Sequence, residues 1–155
     1  MELTDIFQSL GEENFRALVG EISISRLKTF KLYESLKARS HLPKLNVQSL
    51  KKVTPRFWER IREGDKDLAS DLAQAILTGH FDLIVDVLDF LKIPHHEGFF
   101  DKETDAGALL TEGWQSQVFE HFREKYPASL LVLYLNHLSL EITKDKPLFV
   151  PAGGQ

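Results

Sequence analysis

Residues 65–93 leave the chain little choice but to be helical. In the first half, Leu68, Ala69, Leu72, Ala73 and Ile76 fall on one stripe at the three-and-four spacing of a helix. In the second half, Phe81, Leu83, Ile84, Val85, Val87, Leu88, Phe90, Leu91 and Ile93 are apolar almost all round. Only Asp82, Asp86 and Asp89 leave a narrow polar edge before Lys92. A helix so poor in polar surface belongs inside a domain. The expectation is therefore an all-α fold, a compact bundle or array of about seven helices around a central buried helix over 81–93. With 155 residues, one domain over 1–143 with a tail over 144–155 fits the length.

The flanking segments supply the other helices. Residues 3–10 and 12–22 bring Ile6, Phe7, Phe15, Leu18 and Val19 inward, with Gly11 as the break. Residues 26–41 read as one longer helix with Leu27, Phe30, Tyr33 and Leu36 inside, ended by Leu42-Pro43. Asn46 can cap a short helix through Val53, and Thr54-Pro55 then signals the start of another that stops at Gly64. Asp65 caps the organising pair. After Pro94 comes the longest loop, then a short turn over 105–110 and a helix carrying Trp114, Val118, Phe119 and Phe122. Residues 128–142 are dense enough in leucine for a strand to be conceivable, but their length and proline start favour a buried helix. Beyond them, Leu148, Phe149 and Val150 can dock the tail.

Gly79-His80-Phe81-Asp82, with Ala73 before it and Ile84-Val85-Asp86 and Leu88 after it, locally resembles an ankyrin repeat. The resemblance implies a helix hairpin turning at Gly79. The Thr-Pro-Leu-His opening of that repeat is absent from 65–72 and no second copy follows, whereas repeat folds need about three units. On the residues alone, Gly79 ends one helix and His80 begins the next.

No cysteine is present, so disulfide and thiolate chemistry are excluded and a reducing, cytoplasmic setting is expected. Residues 1–10 carry Glu2 and Asp5 without a basic start or a long apolar run, so no leader is expected there. No nucleophile elbow, phosphate-cradling glycine loop or dinucleotide fingerprint occurs, and the reading leans away from an enzyme and implies no cofactor. Two loops carry metal-ligand types. His95, His96 and Glu97, with Asp101, offer imidazole and carboxylate donors, although adjacent loop histidines usually point apart. Asp101, Glu103, Asp105 and Glu112 fall at calcium-loop positions, but Ala106 replaces the glycine of the sharp turn.

The charge distribution is the best functional lead. Net charge is −4. Residues 26–62, however, hold eleven Lys/Arg against Glu34 and Glu59, a net of +9, and the remainder is correspondingly acidic. Lys28, Lys31, Lys37 and Arg39, then Lys51 and Lys52, then Arg56 and Arg60, can form one basic face. The first expectation is a non-catalytic interaction module acting through protein–protein contacts, with a second copy of itself as one partner, in which that face lies against acids of the same chain or of the second copy. The alternative is a nucleic-acid-associated protein using the same face, with a helix-turn-helix around 42–46. A metal-dependent protein using the 95–105 loop comes third.

Overall fold

The computed structural model describes residues 1–100, 105–142 and 147–151. Among them are ten α-helices and no strand, so the all-α expectation holds with more and shorter helices than anticipated. They are α1 (Leu3–Leu10), α2 (Glu12–Gly20), α3 (Ile24–Thr29), α4 (Tyr33–Ser40), α5 (Val47–Arg62), α6 (Lys66–Leu77), α7 (Phe81–Phe90), α8 (Ala106–Leu109), α9 (Trp114–Phe122) and α10 (Ala128–Ile142). No described helix is long and apolar enough to cross a membrane. Backbone contacts group the chain into two compact units, Glu2–Gly79 and His80–Gln155.

In the Glu2–Gly79 unit, α5 packs on α1, α2 and α6. Phe15 sits between Phe7, edge-on with ring centres 5.4 Å apart, and Trp58 at 5.2 Å. Leu27, Leu36, Phe57, Ile61, Leu68 and Leu72 close the core, each at most 1% exposed. Asn46 and Asp65 cap α5 and α6 as their positions predict, accepting from the Ser49 and Leu68 amides.

Two boundaries differ from the sequence reading. Residues 26–41 form two helices, because Lys31 turns left-handed (φ +61°). Leu32 N–H then donates to Leu27 C=O and Lys31 N–H to Lys28 C=O, at 2.8 and 3.2 Å, which is a Schellman cap. Phe30 is thereby turned outward, 37% exposed. Conversely, α5 runs unbroken through Pro55. The ring lies on the exposed side, so the carbonyl of exposed Lys51 that loses its amide partner faces water. Meanwhile Leu50, Val53, Phe57 and Ile61 bury one continuous stripe, and this burial outweighs the break.

In the His80–Gln155 unit, α9 packs on α10. The helix expected over 81–93 ends at Phe90, where Lys92 (φ +59°) and the 2.9 Å bond from Ile93 N–H to Leu88 C=O make another Schellman cap. Only Leu83, Val87 and Leu88 of α7 are buried, and Phe90 is 36% exposed. The most deeply set helix is α10, in which every residue from Leu130 to Asn136 is buried. Apolar composition alone overstates the burial of α7, since it counts residue types and not the neighbours that cover them.

Candidate functional site

The basic segment divides by pairing. Arg39 and Arg60 are partly buried and bound to carboxylates. Arg39 Nε donates to Asp71 Oδ2 at 2.6 Å, and Ser35 Oγ donates to the same oxygen at 2.6 Å. Arg60 donates through Nε and Nη2 to Asp65 Oδ2 at 3.0 and 2.6 Å, and through Nη1 to the Arg39 carbonyl at 2.7 Å. Burial pushes the Asp65 carboxyl up, but the Leu68 amide, the Arg60 hydrogen bond and the charges of Arg60 and Arg39 outweigh it, so its pKa lies below the ordinary value. These two arginines tie α4 and α5 to α6 and are structural.

The other cations of the segment are held differently. Lys28 Nζ sits 5.1 Å over the Tyr33 ring, and Lys37 reaches Glu34 at 3.4 Å along its own helix. Lys31, Lys44, Lys51, Lys52 and Arg56 are exposed, and among the described residues none has a carboxylate partner. Lys51 and Lys52 share a shallow polar depression at the start of α5 with Asn46, Gln48 and Ser49. Within the basic segment, then, Arg39 and Arg60 are paired with carboxylates of α6 and its cap, whereas these five cations are exposed without such a partner among the described residues.

The metal-ligand candidates are arranged differently. Gly98 N–H donates to His95 Nδ1 at 3.1 Å, which fixes the proton on Nε2, and Nε2 lies 2.7 Å from Asp89 Oδ1. Both ring nitrogens are used in holding the loop. His96 is exposed and bonds through its backbone to Phe99, while Glu97 is left-handed (φ +51°) and exposed. Gly98 is left-handed (φ +92°), and a Cβ there would crowd Ile84 Cγ2 at 3.1 Å. Asp101 lies outside the described residues, as does the start of the calcium-like loop over 101–112. Its Asp105 caps α8 by accepting from Ala108 N–H at 3.2 Å. Among the described residues no three His, Asp or Glu side chains converge as a metal set.

Two features of the His80–Gln155 unit add to the sequence reading, which expected the tail to dock through 148–150 but gave no role to Asp86 or Asn136. Lys125 and Tyr126 both donate to Asp86, at 2.7 and 2.5 Å. These bonds hold the Asp86 carboxyl below its ordinary pKa, while burial and Asp86 push the Tyr126 phenol up. Asn136, wholly buried, pairs with the backbone of Phe149 in the tail. The only sequence signal for it is an amide standing in a run of leucines. Against family models, curated proteins and solved structures, the chain finds no significant match.

Proposed function

We propose that this chain is a non-catalytic interaction module that binds an acidic protein surface, first of all that of a second copy, through the exposed cations of its Glu2–Gly79 unit. One observation carries the reading. The cations that the fold needs, Arg39 and Arg60, have carboxylate partners, whereas Lys31, Lys44, Lys51, Lys52 and Arg56 have none among the described residues. Unpaired like charges on one segment repel each other and gain from an opposing acidic surface, which steers association and fixes register. The acidic remainder of a second copy offers that surface. A cytoplasmic setting is consistent with the absence of cysteine.

Sedimentation of the full chain from 50 to 300 mM salt tests this. Association at low salt that weakens as salt rises is expected, and it should be lost when Lys51, Lys52 and Arg56 are all changed to Glu. A monomer at every salt concentration would refute self-association. The second reading, nucleic acid, draws on the depression in which Lys51 and Lys52 stand among Asn46, Gln48 and Ser49, the polar types that hold phosphate oxygens. It also draws on α5 being a full-length helix whose first two turns leave Gln48, Lys51 and Lys52 exposed. The six-residue connection over 41–46 is longer than the turn usual in a helix-turn-helix. Negligible binding of an arbitrary duplex at 150 mM salt is expected. A micromolar affinity that falls about 10³-fold between 50 and 200 mM salt would make nucleic acid the answer.

A further inference from the structure

Asn136 occupies the middle of α10, wholly buried, with Leu130, Leu131, Leu133, Leu135 and Leu138 around it in sequence. A buried carboxamide is costly unless its polar atoms are satisfied, and leucine would cover the same space without that demand. Asn136 is satisfied by another stretch of chain. Phe149 N–H donates to its Oδ1 at 2.7 Å, and its Nδ2 donates to Phe149 C=O at 3.1 Å and to Val132 C=O at 3.0 Å. The paired bonds to Phe149 are what a neighbouring strand would offer one residue, so Asn136 reads backbone and is indifferent to the side chain. Selectivity comes from Phe149, whose ring lies 6.2 Å from that of Phe119 on α9. Pro147 and Pro151 bracket the segment and hold it extended.

The hydrogen bonding is confined to that one residue. Among the described residues the 147–151 segment makes no other hydrogen bond, and Val150 is 60% exposed. We infer that the Asn136–Phe119 face is a peptide-binding site. Its occupant is an extended, proline-bracketed segment of a partner protein with an aromatic residue at the Asn136 position, and the chain's own tail fills the site until that segment displaces it. The seated tail defines the chemistry of the partner, and tethering gives it an effective concentration of about millimolar, which masks the site from weaker peptides. The site belongs to the His80–Gln155 unit and uses no charged side chain, so its binding is insensitive to salt.

The test uses the full chain and a fluorescent peptide of residues 146–155, read by anisotropy. Phe149→Ala loosens the resident tail and should bind the peptide at least tenfold more tightly than the unaltered chain. Adding Asn136→Leu to Phe149→Ala should abolish that binding. A peptide N-methylated at its phenylalanine loses the N–H that Asn136 accepts, and it should fail to bind Phe149→Ala whatever the protein substitutions do to folding. Equal affinity of Phe149→Ala and the unaltered chain, or unimpaired binding of the N-methylated peptide, would overturn the proposal.

Discussion

Leu88→Ala and Phe90→Ala stand two residues apart on α7, and size alone would make the phenylalanine the costlier loss. The structure reverses that order. Leu88 is fully buried, so truncating its side chain leaves a cavity and should cost about 3–4 kcal/mol. Phe90 is 36% exposed, stacked on His121 at 4.5 Å and edge-on to Phe122 at 5.7 Å. With a third of its surface already wet and no enclosed space left behind, its truncation should cost about 1–2 kcal/mol. Trp114 is the sole tryptophan of the His80–Gln155 unit and Trp58 that of the other. Urea unfolding in a Trp58→Phe background, followed by fluorescence, therefore reports on the unit that contains α7. Midpoints should fall further for Leu88→Ala at an unchanged m-value. A loss for Phe90→Ala equal to or greater than that for Leu88→Ala would refute the placement of α7 as a half-buried helix.

Gly64 (φ +89°) ends α5 in the left-handed region, where an added Cβ would meet nothing within 4 Å, so Gly64→Ala should cost about 1 kcal/mol in thermal or urea unfolding from backbone strain alone. Lys31→Gly relieves the same strain but adds unfolded-chain freedom and removes a cation from a helix end. It should leave the thermal midpoint nearly unchanged, a net effect within about 0.5 kcal/mol. Burial holds His137 below its ordinary pKa of 6.5, with its Nδ1 lacking a hydrogen bond although Glu141 lies 3.3 Å away. Below pH 6.5 the unfolded chain takes up that proton first, so stability should decline as pH falls toward the depressed folded value. Burial raises Glu141, which works in the opposite sense, the fold gaining as pH falls through the raised value toward 4.5. His137→Gln should therefore flatten the decline just below pH 6.5 in denaturation midpoints measured across pH, and an unaltered slope would show that His137 does not set it.

Where backbone rules are written in side chains, the sequence was legible. Asn46 and Asp65 cap as their types require, Gly64 ends α5, and Gly79 separates α6 from α7. Where the rule concerns backbone geometry that any residue can meet at a cost, it was not. Lys31, His41 and Lys92 adopt the left-handed turn usually marked by glycine, so the end of α3 was invisible and α7 was drawn too long. Pro55 misled in the other direction, because a missing amide on a wet face is tolerated where a buried stripe continues beneath it. The basic face was legible as composition only. Its division into paired and open cations depends on Asp71 of α6 and on Asp65, the cap that precedes it, which periodicity reads as ordinary surface. The apolar run over 148–150 marked the tail as able to dock, but Asn136 escaped because it holds the backbone of Phe149, thirteen residues away, which side-chain patterning does not record.

The left-handed turns at 31, 41 and 92 also bear on which charges carry meaning. At these three positions a lysine or histidine meets a conformational demand that glycine or asparagine would meet as well. A library of variants selected only for folding should therefore drift there toward glycine and asparagine, erasing the charge of Lys31 for a reason of backbone geometry. Lys51, Lys52 and Arg56 sit in ordinary helical geometry on the wet side of α5, where selection for folding leaves the sign of the side chain free. Retention of positive charge at those three positions, in chains kept for activity and not merely for being folded, is then a signature of the binding surface itself.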